Sequence, residues 1–326
     1  MKNTIKFLLA AITLSAATSC ENNDWSFDDY ETQVVYFAQQ TPVRTITLGE
    51  DVYSTELDNQ HKCQVMAVLS GVYENSSDRV IDYVVDQSLA DGKTFADGSP
   101  VTVLPSDYYT LGSSTITIPS GSVLGGVEVT LTDKFFADEK AVGLKYVLPL
   151  KLTGVSGADS ILSEKNYVLY ALKYKNKYTG NWLCEGTDLI NDNGKDTTIT
   201  RKGEYVENDD VVAVSTKSLT SVNYPKSTTI SIDGALQIFT YNLILSFDSN
   251  ENCTVSTDTE NVTVTGSGKW TYHGQTKAWG DKDRDGITLS YTVNISYQSA
   301  GSTLVKKITT EETLIARDRG SKFETF

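Results

Sequence analysis

Histidine is scarce in this chain, with two among 326 residues. His61 lies in the polar run DNQHK, and His273 stands between a tyrosine and a glycine. The sequence also lacks a G-x-S-x-G elbow, an H-E-x-x-H pair and a G-x-x-x-x-G-K-[ST] phosphate loop. These absences argue against metal hydrolases, Ser-His-Asp enzymes and P-loop enzymes, and we predict a protein that is not an enzyme. Paired carboxylates of the glycoside-hydrolase kind stay open by count, because 42 acidic residues are present, but no pair stands out.

Cysteine is too rare for a disulfide framework. Of the four cysteines, Cys20 directly follows an N-terminal leader and is a candidate for lipidation, which leaves Cys63, Cys184 and Cys253 for pairing. An odd number in an exported protein excludes complete pairing. One bridge between Cys184 and Cys253 stays open beside the alternative of two buried thiols, and no Cys-x-x-Cys or Cys/His spacing indicates zinc.

Long apolar runs are missing except near the N-terminus, where residues 7–17 form a run too short to span a bilayer. Lys2 and Lys6 precede it, as in a secretory signal peptide. The run ends in the sequence ATSC at residues 17–20, which resembles a bacterial lipobox. We predict a lipoprotein signal peptide over residues 1–19, palmitate on Cys20 and membrane attachment through that lipid anchor alone. An ordinary cleavage site followed by a chance cysteine is the alternative.

Positive charge is in deficit. The formal net charge is −14, and without residues 1–19, which hold two lysines and no acids, 26 basic against 42 acidic side chains leave −16. Such a surface repels phosphate backbones and anionic headgroups, which argues against nucleic-acid binding and peripheral membrane docking. Residues 20–30 are short, acidic and polar, and they predict a tether between the lipid and the fold.

Proline is limited to six residues, and an alternation with a period of two begins at Gln33. Over residues 31–175, seven or so short strands are separated by Gly, Asp, Ser and Pro turns, with one helical turn at residues 133–141. This pattern predicts an antiparallel β-sandwich of immunoglobulin or fibronectin type.

Residues 176–326 predict a second all-β domain with longer strands. The alternation is cleanest in residues 287–297, where apolar side chains face one way and Thr, Ser and Asn face the other. Eight or nine antiparallel strands with short hairpins favour an up-and-down β-barrel, because closure removes exposed sheet edges. The joint at residues 175–177 is too short to let the domains swing far apart, so we expect a fairly fixed pair.

One stretch matches half of a calcium loop. Asp281, Asp283 and Asp285 precede a glycine in the pattern D-x-D-x-D-G. Position twelve of that pattern falls on Thr292, where a bidentate glutamate is expected, and no helix flanks the loop. A solvated turn is therefore favoured over a Ca²⁺ site, and no other cofactor is predicted.

Aromatic side chains outside the strand pattern are candidate ligand contacts, because their rings stack on the faces of neutral sugars. Trp279 is the best of them, since it lies in a loop with no strand to bury it. Tyr224, beside Pro225, is weaker, and Tyr272 shares the phase of Val262, which favours a core position. For each, an ordinary surface or core aromatic is the alternative.

Several stretches resemble a known family. The opening VVYFAQQTPVRTITLG, the run IPSG…VEVTLTDKFFAD…YVLPLKLTG and the lipobox are similar to the N-terminal domain of unknown function of Bacteroidetes surface lipoproteins. The second half, from KYTGNW to LIARDRGSKFETF, resembles the partner domain often fused to it, for which no activity is assigned. Gly180-Asn-Trp182 is similar to the G-x-W signature of lipocalin-like, or calycin-like, barrels. In those barrels an arginine of the last strand packs across the tryptophan, a role that Arg317 or Arg319 would take here.

The resemblance implies a role as well as a fold. Its members are typically encoded in polysaccharide-utilisation loci, beside outer-membrane glycan importers. It therefore implies an outer-membrane lipoprotein facing the cell exterior, which binds glycan without cleaving it and supports import by a neighbouring transporter and its lipoproteins. A structural or adhesive surface protein is one alternative, and a lipocalin-like carrier with an open, apolar barrel mouth is another.

Overall fold

The computed structural model describes residues 30–326. The predictions made for residues 1–29, including the lipidation of Cys20, lie outside the described residues. Within the described range the fold is all-β in two domains, as predicted, apart from 3-10 turns and two short helices, α1 (Glu56–Asn59) and α2 (Asp133–Ala137). No helix between residues 30 and 326 is long and apolar enough to cross a membrane.

The N-terminal domain is a sandwich of two sheets. Its strands are β1 (Val34–Tyr36), β2 (Pro42–Thr47), β3 (Lys62–Ser70), β4 (Arg79–Val85), β5 (Thr102–Val103), β6 (Tyr109–Leu111), β7 (Thr115–Ile118), β8 (Leu124–Leu131), β9 (Tyr146–Ser156), β10 (Ser160–Ile161) and β11 (Tyr167–Lys175). One sheet has the order β10-β1-β3-β8-β6, and the other contains β2-β11-β9-β4-β7 with β5 beside β9. The predicted helical turn is confirmed in α2 and the 3-10 turn at Glu139–Val142.

Strand direction in the sandwich differs from the prediction. Three pairs, β1 with β10, β2 with β11 and β5 with β9, run parallel, so the domain is a mixed rather than an antiparallel sandwich. The physical reason is that an alternating pattern reports which face of a strand is buried and carries no information on the direction of its neighbour.

The C-terminal domain is a closed antiparallel barrel. Its strands are β12 (Gly180–Asp192), β13 (Lys195–Arg201), β14 (Asp210–Ser218), β15 (Ser221–Ile232), β16 (Ala235–Phe247), β17 (Asn252–Thr257), β18 (Val262–Trp279), β19 (Lys282–Ser299) and β20 (Ser302–Asp318). Strands β14 to β20 follow β12 in up-and-down order, and β20 pairs with β12 to close the ring. Strand β13 forms a hairpin with the far half of β12.

The first barrel strand carries the G-x-W motif in structural roles. Trp182 is 2% exposed in the barrel core, and its indole Nε1 donates to the carbonyl of Tyr178 at 3.1 Å. A Cβ on Gly180 would meet the carbonyl oxygen of Asp318 at 2.6 Å, so the close approach of β20 requires glycine. Trp182 is therefore a core residue, as predicted, and Gly180 fixes the closing seam.

The prediction that Arg317 or Arg319 packs across Trp182 is wrong. Ala316 is the β20 residue opposite Trp182, and it packs on the barrel core. Alternation then turns Arg317 outward, where its side chain is 43% exposed and pairs with Asp318 at 3.7 Å. Arg319 lies beyond the end of β20, at the domain junction.

The three described cysteines are free thiols in the core. This answers the open question of a bridge between Cys184 and Cys253 in favour of separate thiols. Burial raises the pKa of Cys63 and of Cys253 to about 12, so neither is a reactive thiolate at neutral pH.

The chain returns to the sandwich after the barrel. Residues 319–326, here named the C-terminal strap, contain a short strand β21 (Glu324–Thr325) that pairs with the edge strand β2. Phe326 packs against Phe95 with ring centroids 4.8 Å apart, within a second apolar cluster on the outer face of β11. Residues predicted as barrel thus complete the sandwich, which fixes the relative position of the two domains.

Candidate functional site

A cleft of about 850 Å³ lies at the domain junction. This interdomain cleft is bounded by β2 and β11 of the sandwich, by the loop of residues 49–55, by Ser215 and Thr216 of β14 and by the C-terminal strap. Its volume falls in the range of small-molecule sites, which often form between domains. The short joint at residues 175–177 and the strap hold both walls in place.

Two exposed aromatic side chains line the interdomain cleft. Tyr53, from the 49–55 loop, is 70% exposed, and Phe323, from the strap, is 73% exposed. Tyr170 of β11 also lines it, and its hydroxyl donates to the carbonyl of Gln64 at 3.1 Å. Large aromatic rings left in water beside a concave surface are typical of ligand contacts rather than of a folding core.

Sequence reasoning missed Tyr53 and Phe323, although a signal for them exists. Each lies in a short polar segment, DVYST or SKFET, with no strand pattern to bury it. That is the same signal by which Trp279 was selected.

Polar groups surround these rings. Arg44 pairs with Asp58 of α1, and the Asp58 carboxylate also accepts the amide of Thr47 at 2.8 Å. The Asp58 side chain is 3% exposed. Burial raises the pKa of Asp58 above its usual value even though the Thr47 amide and Arg44 act in the opposite direction.

The strap side of the cleft is ionic. Lys173 pairs with Glu324 at 2.5 Å, and Lys175 pairs with Asp51 at 3.7 Å. Lys175 also donates to the carbonyl of Arg319 at 2.9 Å, and its burial lowers its pKa. These contacts join β11, the 49–55 loop and the strap into one wall.

Trp279 and Tyr272 lie on a neighbouring feature, the long hairpin of β18 and β19. The guanidinium of Arg284 lies 4.8 Å from the centroid of the Trp279 ring and covers one of its faces. The core position favoured for Tyr272 is wrong, because its side chain is 53% exposed beside an irregularity in the pairing of β18. Tyr272 stacks on His273 with ring centroids 3.9 Å apart and donates to Glu50 of the 49–55 loop. Neither aromatic lines the interdomain cleft, so the structure does not bring them together with Tyr53.

Tyr224 is not at a surface. It is 0% exposed inside the barrel, so the prediction of a ligand-binding role at a surface turn is wrong. The reason is that Pro225 lies within strand β15, opposite Asn242, and not in a turn. Pro225 faces outward, and Tyr224 therefore faces the core.

The structure does not support the calcium loop. Asp283 accepts the amide of Lys277 at 2.8 Å, Asp285 accepts the amide of His273 at 2.9 Å, and the Asp281 side chain is 84% exposed. Asp283 and Asp285 of β19 thus each bind a separate backbone amide of β18, and the three carboxylates do not converge on one site. Between residues 30 and 326, no group of three or more His, Cys, Asp or Glu side chains is arranged to hold a metal ion.

The barrel lumen contains a buried ionic network instead of an open cavity. Glu312, with a side chain that is 0% exposed, accepts from Arg201 at 2.9 Å, from Lys226 at 3.0 Å and from the Tyr291 hydroxyl at 2.8 Å. Arg201 also binds Asp188 through two hydrogen bonds, of 2.8 and 3.1 Å. Two acids and two bases thus balance one another.

The barrel end near the β15–β16 hairpin is also obstructed. Lys306 reaches across it, donating to the carbonyl of Thr229 at 2.6 Å and to Asp192 at 3.2 Å. Side chains fill the lumen, and this arrangement is unlike the open, apolar mouth that a lipocalin-like carrier requires.

Similar proteins match both domains. The C-terminal domain matches a domain of unknown function, DUF5627, over residues 177–320, and residues 30–159 match a family model described as an N-terminal domain. A solved structure of unknown function from Bacteroides ovatus is 39% identical, with a TM-score of 0.83, over 91% of this chain and 98% of that chain. The chain belongs to the family of that protein. The resemblance to a two-domain family of unknown function in Bacteroides is thereby confirmed.

Two further solved structures are similar at much lower identity. An auxiliary nutrient binding protein from Bacteroides thetaiotaomicron is 12% identical, with a TM-score of 0.44 over 84% of this chain and 90% of that chain. A protein of unknown function from Bacteroides ovatus is also 12% identical, with a TM-score of 0.46 over 89% and 94% of the two chains. No curated protein matches this member of the family.

Proposed function

We propose that this family member is a non-catalytic surface lipoprotein that binds glycan in the interdomain cleft. The observation that carries the proposal is the pair of exposed rings, Tyr53 and Phe323, at a concave surface between fixed domains. Sugar rings present apolar C–H faces that stack on such aromatic side chains, while their hydroxyls bond to nearby polar groups. Arg44 and Gln64 of the cleft lining supply such groups.

The mode of binding follows from the shape of the site. A cleft with two aromatic contacts buries few atoms of a polymer, so each contact contributes little affinity. Several copies held on one surface engage a long polysaccharide together and gain avidity from their effective concentration. The protein would in this way help a neighbouring importer to capture its substrate.

Aromatic substitution tests the site. In native gels that contain polysaccharide, Tyr53→Ala with Phe323→Ala in the chain from Glu21 onward should bind about tenfold or more weakly, because contacts of this kind contribute on the order of 1–2 kcal/mol each. Tyr205→Ala removes a tyrosine that is 60% exposed on the other domain and is the matched control. Trp279→Ala distinguishes the β18–β19 hairpin from the cleft.

The outcomes of that experiment separate the site from the function. If no polysaccharide of a broad panel retards the protein, glycan binding is wrong. If retardation persists in the double variant and disappears with Trp279→Ala, the protein binds glycan, but at the β18–β19 hairpin and not in the interdomain cleft.

Lipid attachment is a separate part of the proposal, supported by the sequence of the leader. We expect Cys20→Ala to abolish incorporation of labelled palmitate and to release the protein from the outer-membrane fraction. Surface labelling of intact cells then reports whether the wild type faces outward. Persistence of palmitate in the variant would show that Cys20 is not the lipidated residue.

A structural or adhesive role is the second candidate, and one observation favours it. The strand pairing of the strap and the hydrogen bonds from Arg319 to the carbonyls of Leu48 and Glu50 fix the domains in one arrangement, as a spacer between membrane and partner requires. Absence of polysaccharide binding, with surface exposure retained, would support that role.

A further inference from the structure

We propose that the glycan bound in the interdomain cleft is uncharged. This inference rests on the proposed function and adds the substrate class. It follows from how the charged side chains of the cleft are used, since nearly all of them are already held by partners within the protein. A ligand carboxylate or sulfate would have to compete with those partners.

The lysines of the cleft have internal partners and little contact with water. The Lys173 and Glu324 side chains, 2.5 Å apart, are 20% and 24% exposed. The Lys175 and Asp51 side chains are 12% and 5% exposed. Their ammonium groups face the protein's own acids, so neither presents a free positive charge to a ligand.

The arginines are used in the same way. Arg44 pairs with the buried Asp58, and its Nη1 donates to the carbonyl of Thr45 at 2.7 Å. Arg319 donates to three carbonyls, those of Leu48 and Glu50 at 3.1 Å and that of Asn176 at 2.7 Å. The Arg319 guanidinium therefore holds the domain junction together and is not available to a ligand.

Among the described residues that line the cleft, one lysine is mostly exposed to solvent. Lys322, in the strap, is 75% exposed and lies 3.5 Å from Glu324. A charge so exposed is screened by salt and contributes little to binding. It does not make the cleft a site for acidic polymers.

Energetics then favour a neutral ligand. An acidic sugar that took Lys173 would have to displace Glu324. One that took Arg44 would leave the Asp58 carboxylate, which is 3% exposed, without its counter-charge, and breaking a pair at so buried a carboxylate is strongly unfavourable. A hydroxyl can bond to the free lone pairs of the same carboxylates and leave the ion pairs intact. With a net charge of −16 after loss of residues 1–19 (26 basic, 42 acidic), the protein as a whole also repels polyanions.

The test compares neutral and acidic polysaccharides on the chain from Glu21 onward. A panel of glucans, mannans and xylans is set against polygalacturonate, alginate and chondroitin sulfate, at 50 and 500 mM NaCl. We expect retention on a neutral polymer with less than a twofold change between the two salt concentrations, and no retention on the acidic ones. Retention on an acidic polymer that falls tenfold or more with salt would overturn the inference and leave glycan binding intact. Retention on no polymer would remove the proposed function itself.

A variant that removes one acidic partner tests whether internal ion pairing is what excludes acidic ligands. Glu324→Gln keeps the size of the side chain and frees Lys173 from its partner. We expect the variant to gain at least fivefold in retention on polygalacturonate, with native circular dichroism as a check of folding. No gain in a folded variant would show that internal pairing is not what excludes acids, and the inference would fall.

Discussion

Glu312→Ala should lower the free energy of unfolding of the barrel by about 3–5 kcal/mol, the usual cost of removing one partner from a buried ionic network. The substitution leaves Arg201 and Lys226 facing each other in the lumen without the carboxylate that both bind. It also removes the acceptor of the Tyr291 hydroxyl. Urea unfolding, followed by tryptophan fluorescence, measures the change.

The adjacent acid provides the control. Glu311 lies on the outer face of the same strand, exposed to water, and accepts from Ser290. Glu311→Ala should therefore change stability by less than about 0.5 kcal/mol. Equal effects of the two substitutions would show that the network in the lumen does not stabilise the barrel.

Protonation of Glu312 at low pH should reproduce part of the stability loss that Glu312→Ala causes. Burial alone would raise the pKa of Glu312, but Lys226 and Arg201 outweigh it and hold the pKa below the usual value. A carboxylate with a lowered pKa stabilises the fold at any pH above its unfolded pKa, and the contribution disappears as the pH falls through the lower, folded value. The difference in stability between wild type and Glu312→Ala should accordingly narrow below about pH 4.

Arg319→Ala should uncouple the two domains. The side chain donates to carbonyls of Leu48, Glu50 and Asn176, and hydrogen bonds to a charged group contribute about 1.5–3 kcal/mol each without adding fully. We expect a loss of about 3 kcal/mol at the junction. Sandwich and barrel should then unfold in separate urea transitions, and small-angle scattering should give a larger radius of gyration.

Arg317→Ala is the matched control for Arg319→Ala. Arg317 is an arginine two positions earlier, with a half-exposed side chain whose ion pair to Asp318 is 3.7 Å long. Its loss should leave the unfolding curve and the radius of gyration unchanged. If Arg319→Ala also leaves both unchanged, the strap does not hold the domains together.

Local patterns predicted most of the barrel. In residues 287–297 every second residue is apolar, and these residues, from Ile287 to Tyr297, are all buried. Trp182, which the resemblance to the G-x-W signature places on the first barrel strand, lies in the core as well. Such patterns succeed because the burial of one face repeats along each strand, independently of what its neighbours are.

The buried network shows where the same reasoning fails. Glu312 and Thr310 are polar, yet they lie in phase with Ile308 and Leu314 and share their buried face. A polar side chain is typical of the outer face of a barrel strand, whereas the phase of these two residues indicates the lumen. Arg201, the partner of Glu312, comes from another hairpin, and no local pattern specifies that contact.

The candidate site was less accessible from sequence because its walls are distant along the chain. Tyr53 and Phe323 are brought to one cleft by the pairing of β21 with β2, a contact between two residues at each end of the chain. A strand as short as Glu324–Thr325 has no detectable period. The prediction that Trp279 lies in a loop is wrong, because Trp279 is the last residue of β18. Arg284 of β19 covers one face of its ring, a contact that no spacing in the sequence indicates.

The pairing of β21 with β2 also sets the order in which the protein can be completed during synthesis. The ribosome makes β2 early, but the strand that covers its edge follows only after all the strands of the barrel have been made. Until then the sandwich has an unprotected edge and lacks the ring of Phe326 against Phe95. A nascent chain is therefore open to pairing with other chains at β2, and a chaperone that binds extended strands would have its natural target there.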